Sequence, residues 1–172
     1  MILAVRDLAS RYTIAWIPLP RGTAEEVSIA MGRFFRQYGP PVVLKSDNGS
    51  CFIASRFRTL LARFGVVHLR SPRAWPQYNG ACEAGIGVLR ALSDTAAATR
   101  GQPDIWTLED LDEARARAND LLRRWGAKVA QAREVWRKRC HVTTRERRQF
   151  RVLLDRHLAQ LKENDPNPHR HR

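Results

Sequence analysis

Lys45-Ser46-Asp47-Asn48-Gly49-Ser50, followed by Ser71-Pro72-Arg73-Ala74-Trp75-Pro76 and then by Asn79-Gly80-Ala81-Cys82-Glu83, is the stretch that decides how this chain folds. Val42-Val43-Leu44 is a short apolar run that reads as a buried strand, and its carboxyl end delivers Asp47. Val66-Val67-His68-Leu69 reads as a further strand, the Pro-containing segment from Ser71 to Tyr78 as a loop, and a helix begins near Asn79. Asp47 and Glu83 are separated by thirty-five residues, so one site holds both only if the strand end and the helix start meet. Each carboxylate has a plainer alternative. Asp-Asn-Gly is good turn chemistry, and a glutamate in a first helical turn is favoured by the macrodipole.

Working outward, Ile2–Arg6 and Tyr12–Ile17 are rich in β-branched and aromatic residues and flank a Ser10-Arg11 turn, which predicts a hairpin. Thr23 with Glu26 three residues on makes a capping box, and Val27, Ala30, Met31, Phe34, Phe35 and Tyr38 recur at helical spacing. Gly39-Pro40-Pro41 stops that helix. Ser55 to Phe64 is a second amphipathic helix, with Phe57, Leu60, Leu61 and Phe64 inward. Strands mixed with packing helices predict an α/β fold.

Gln102-Pro103-Asp104 breaks the chain, and Thr107 with Asp110 caps a helix whose apolar stripe is Leu111, Ala114, Ala118, Leu121 and Trp125, read as a core or subunit seam. From Lys128 onward the sequence is strongly basic. Thr143 with Glu146 caps a last helix carrying Phe150, Leu153, Leu154, His157 and Leu161, and residues 166–172 are expected to be a disordered tail. His169 and His171 in that tail read more simply as solvated side chains than as metal ligands.

The 172 residues carry 30 Lys and Arg against 17 Asp and Glu, a formal charge of +13 that concentrates polyanions around the protein and points to nucleic acid as its partner. The bland alternative is a merely solvated basic surface. Cys51, Cys82 and Cys140 form no CxxC pair and no even disulfide framework, which suits a reducing compartment and excludes a zinc site built from them. No apolar run reaches membrane-spanning length, so no membrane partner is expected and a cytoplasmic location is.

The strand-borne Asp47, the Asn79-Gly80 just before Glu83, and Arg90 two turns after it resemble the catalytic core of retroviral integrases and insertion-sequence transposases of the DDE type. The resemblance implies a ribonuclease-H-like mixed sheet flanked by helices, and DNA integration or transposition by metal-dependent strand transfer. It implies that Asp47 and Glu83 are catalytic and hold Mg²⁺ or Mn²⁺, for which hard oxygen ligands are suited. It further implies DNA contacts from Arg90, Asn79, Gln77 and Trp75. Glu83, Gly87 and Arg90 share a helix face, since positions three and four apart stack. A homo-oligomer, or assembly with intact transposase subunits, is the protein partner implied. Residues 1–100 are read as the core and 101–165 as a helical basic extension.

Asp7 resembles a family position that does not hold metal: Leu3–Tyr12 looks like the family's second strand and its following turn. The family's first strand, with its metal-binding Asp, is then expected to be missing before Ile2. That strand lies centrally in the family's five-stranded sheet, between the second and the fourth. Its loss leaves two alternatives: the orphaned strands pair directly in a shifted sheet, or the fragment is marginally stable. The alternative function is an inactive fragment that serves only as a DNA-binding or subunit-binding module.

Overall fold

The hairpin forms where its alternation requires it: β1 (Ile2–Arg6) pairs antiparallel with β2 (Thr13–Pro18), Leu3 opposite Ile17 and Ala4 opposite Trp16. Leu3, Val5, Ile17 and Leu19 join one core cluster, while Ile2, Ala4 and Trp16 join another, as a period of two demands for a hairpin covered on both faces. A computed structural model describes residues 1–72, 76–123 and 128–163. Trp75, Trp125 and the tail at 166–172 lie outside the described residues.

The first face is covered by α1 (Ala24–Tyr38), whose Thr23–Glu26 capping box forms as read from the sequence, with Val27, Ala30, Met31 and Phe35 buried against the sheet. β3 (Val43–Ser46) pairs parallel with β4 (Val67–Arg70). Between them lie α2 (Ser50–Ile53) and α3 (Ser55–Arg63), which places Phe57 and Leu61 in the same core. Phe57, Leu61 and Val27 are almost wholly inaccessible. Each such burial is worth about 1.5–3 kcal/mol.

The other face is covered by α4 (Gly80–Thr99) and α5 (Leu108–Leu121), which enclose Trp16, Leu89, Leu111 and Ala118. Trp16 donates its indole N–H to the buried Ser93 hydroxyl at 3.1 Å, so this large side chain is buried without an orphaned donor. Asn119 of α5 reaches β2: its amide oxygen accepts from Thr13 N at 2.7 Å and its amide nitrogen donates to Thr13 O at 3.0 Å. The Thr107–Asp110 capping box of α5 forms as expected. Leu121, however, is 62% exposed, so the buried stripe closes at Ala118 and Asn119 instead. The turn after Asn119 points its leucine away from the hairpin.

Among the described residues the strands form two separate ladders, one antiparallel and one parallel. Both kinds of pairing of a mixed sheet are present, but β1 and β3 share no backbone hydrogen bonds. Neither strand therefore takes the other as its missing neighbour. Side chains join the ladders instead, since Leu3 and Val5 of the hairpin and Leu44 of β3 lie in or against one core.

Beyond α5, the short α6 (Ala132–Arg137) returns Trp136 to the hairpin, where its ring stacks on Tyr12 at 5.0 Å and Arg139 covers it at 3.5 Å. The last helix, α7 (Thr144–Glu163), is anchored at its start by Arg147 donating to the carbonyls of Pro40 and Pro41. Of its stripe, Phe150 and Leu154 are half-buried, while Leu153 is 63% and Leu161 53% exposed.

One pH effect is built into the α4–α5 connection. Asp110 accepts from Arg100 Nη2 at 2.9 Å and from the Thr107 amide at 2.7 Å, and these partners, Arg100 first, hold its carboxyl down to about 2. The folded-state value is depressed, so the stabilisation is fully present above the ordinary carboxylate value of about 4 and is lost as pH falls from there toward the folded value. Acid unfolding curves of the wild type and Asp110→Asn are expected to differ in slope in that window. Parallel curves would show that Asp110 contributes nothing to acid sensitivity.

Candidate metal and nucleic-acid site

Asp47 immediately follows β3, which runs two residues further than the sequence pattern suggests. Its Oδ1 accepts from Gly49 N at 2.8 Å, the Asx turn that the Asp-Asn-Gly sequence favours, and Asp47 itself is exposed. The turn is stapled to the end of β4. Asn48 Nδ2 donates to Ser71 O at 2.7 Å, and Ser71 donates to Ser46 O through both its amide and its hydroxyl, each at 3.0 Å. Ser46 Oγ lies 2.8 Å from Asp47 O and 2.8 Å from His68 Nε2. Burial, then Arg70, pushes the His68 imidazole below its ordinary value.

Glu83 stands exposed in the first turn of α4. Burial raises the Cys82 thiol first; Arg6 opposes it, and the two carboxylates raise it further. The Asx turn and the first-turn placement that offered plainer readings of these residues are both present.

Arg6 ties β1 to the start of α4 by donating to Ala81 O at 3.2 Å, with its Nε on Arg11 O at 3.0 Å. Gly85 is buried beneath it, and a side chain there would collide with the guanidinium. Burial, then Arg11, lowers the Arg6 value. Lys45 donates to the Tyr78 carbonyl and sits 3.5 Å over the Tyr78 ring, which holds the turn before α4 against the end of β3.

Asn79 is the N-cap of α4, and its side chain makes no capping hydrogen bond. Gln77 lies in the 3₁₀ turn Pro76–Asn79, its side chain outside the description. Arg90 is exposed two turns beyond Glu83, at the rim of a cavity lined by Ile2, Trp16, Ile86 and Trp106. Asp7 takes another course: its Oδ2 accepts from Ser10 N at 2.7 Å and from Ser10 Oγ at 2.5 Å, closing the hairpin turn. Among the described residues no group of three His, Cys, Asp or Glu side chains is placed to hold one metal ion. Sequence reasoning missed Ser46, His68 and Arg6; only a polar residue at the end of an apolar strand, as at Ser46, hinted at the first.

The family profile of the integrase core domain matches residues 1–76. The integrase match contains Asp47 and stops short of Glu83, whose place rests on the fold. The chain is similar to the catalytic core domain of BIV integrase at 26% identity and a TM-score of 0.61, over 80% of this chain and 85% of that one. It is similar in fold to a chain of the simian T-cell lymphotropic virus intasome at 16% identity and a TM-score of 0.67, over 84% of this chain and 56% of that one. The HTLV-2 integrase catalytic core, solved as a dimer in complex with magnesium, gives 14% identity and a TM-score of 0.59, over 78% and 83%. No curated protein matches the sequence. The integrase-like fold is thus α/β and ribonuclease-H-like, and no helix among the described residues is long and apolar enough to cross a membrane.

Proposed function

We propose that this chain acts in DNA integration or transposition as an integrase-type core, with Asp47 and Glu83 holding a divalent cation, Mg²⁺ or Mn²⁺, at the DNA phosphate. The observation that carries this reading is the contact of Lys45, two residues before Asp47, with the Tyr78 carbonyl and ring, which holds the end of β3 beside the turn leading into the helix of Glu83. The donor set suits a hard cation: among the described residues Asp47 commits only Oδ1, and Glu83 makes no ion pair or hydrogen bond. When bound, the cation supplies charge neutralisation at a transferring phosphoryl group.

The chain's own residues bind and orient. Arg90 contacts a phosphate from the exposed face of α4, Asn79, Gln77 and Trp75 are further DNA-contacting residues, and Lys45 and Arg6 hold α4 in place. Exposed arginines on α7 (Arg145, Arg148, Arg151 and Arg156) extend the positive surface. The partners are DNA and further integrase subunits; the compartment is the cytoplasm. The core is assigned to residues 1–100 and the basic extension to 101–165.

A second reading is favoured by one specific observation. Asp7 spends its carboxylate on Ser10, and no third carboxylate joins Asp47 and Glu83 among the described residues. By itself the chain then binds DNA or transposase subunits without joining strands. A strand-transfer assay run beside a gel shift separates the two readings: a shift without joined product selects the binding module. Joined product that disappears on Asp7→Asn would instead make Asp7 the third ligand.

The electrostatic part is tested by salt. The variant with Arg145, Arg148, Arg151 and Arg156 replaced by Gln is expected to bind DNA with a shallower dependence of log K on log salt, by roughly 0.9 for each phosphate that an arginine no longer neutralises. An unchanged slope would place the DNA surface away from α7.

A further inference from the structure

Ser46 has one hydroxyl proton and two neighbours for it. The Asp47 carbonyl at 2.8 Å is only an acceptor, so the proton goes there, and His68 Nε2, also at 2.8 Å, is left to donate to Ser46 Oγ. The imidazole, pushed toward its neutral form by burial, therefore carries its proton on Nε2. Its ring is fixed edge-on against Phe57 at 5.7 Å, a residue of the core with no exposed surface. The Ser46 carbonyl meanwhile takes both the amide and the hydroxyl of Ser71. One buried serine thus joins β3, β4 and the Asp47 turn.

We infer that His68 is a positioning residue for Asp47: a donor relay from His68 Nε2–H through the Ser46 hydroxyl to the Asp47 carbonyl fixes the backbone from which the carboxylate projects. The significance of the relay for metal binding rests on the proposed function, whereas the relay itself is a property of the metal-free protein. It works because the β3 ladder ends at Ser46 and leaves Asp47 to a two-residue turn. The Asn48 and Ser71 contacts hold the turn on either side, and the Ser46 hydroxyl holds the Asp47 carbonyl between them. The imidazole supports that hydroxyl from the rigid side of the site, since Phe57 and β4 hold it.

The test is amide hydrogen exchange by NMR on the full, metal-free chain, read at Gly49 and Ser71, followed by Mn²⁺ titration of the same samples. Ser46→Ala and His68→Leu are expected to speed exchange at Gly49 by about tenfold, the equivalent of losing one hydrogen bond. His68→Gln places an amide donor near the position of Nε2 and is expected to restore protection, which a purely space-filling role for the ring would not predict. Ser46→Ala leaves the Phe57 contact untouched, so it decides the matter if His68→Leu fails to fold. Exchange at Gly49 unchanged in Ser46→Ala, or not rescued by Gln at 68, overturns the inference. Wild-type protein that binds no Mn²⁺ while the exchange pattern holds would sink the metal reading and leave the relay standing.

Discussion

Asn119→Leu is expected to lower the unfolding free energy by about 3 kcal/mol, because it strips two hydrogen bonds from a backbone that has no water to replace them. Thr13 is 1% exposed and Asn119 is 1% exposed, and the amide side chain satisfies both the N–H and the C=O of Thr13. Leucine fills similar space but leaves a buried donor and a buried acceptor unpaired, each costing about 1–3 kcal/mol. For a chain of this size the melting temperature should fall by about 9 °C, at 2–4 °C per kcal/mol. Calorimetry on the purified chain measures it. A shift within about 2 °C, the least that 1 kcal/mol produces at this size, would mean that water or a relaxed β2 replaces the missing partners, so that α5 is not fastened to the hairpin as described.

The second large effect is expected at the carboxylates. Asp47→Asn and Glu83→Gln should each weaken Mn²⁺ binding by more than about tenfold, since a neutral amide removes the charge that a hard cation selects and leaves shape nearly unchanged. Both variants should melt close to the wild type, because both side chains are exposed and surface substitutions usually change stability by less than about 0.5 kcal/mol. Titration calorimetry with Mn²⁺ alone, with Asp7→Asn as the control, reads the difference. Equal affinity in wild type, Asp47→Asn and Glu83→Gln would remove both residues from any metal site. Loss of affinity in Asp7→Asn as well would add a carboxylate now bonded to Ser10.

The stripe of α7 shows how far sequence periodicity carries. Phe150, Leu153, Leu154 and Leu161 recur at the spacing of a buried helix, yet Leu153 and Leu161 are more than half exposed. Periodicity says that a helix has an apolar face; it is silent on whether any other element reaches that face. The same limit applies to α5. Its stripe predicted Leu121 inward, but the helix meets the hairpin through Asn119, a polar residue that hydropathy patterning places outside.

What the sequence by itself determined was local. The alternation of Ile2–Arg6, the Thr23–Glu26 box, the stop at Gly39 and the Asp47 turn all depend on neighbours within a few residues, and each is found where it was read. The identity of two candidate carboxylates was legible for the same reason, because Asp47 ends a strand and Glu83 starts a helix. Only the tertiary structure decided that the sheet is two ladders, that Asn119 pairs with a residue 106 positions away, and that Arg6 crosses to Ala81 over Gly85. It also decided that His68 meets Ser46. These contacts are long-range and polar. A hydrophobic pattern encodes which face of an element is buried, whereas the partner of a buried hydrogen-bonding group is fixed only when two distant elements have docked and water has left between them.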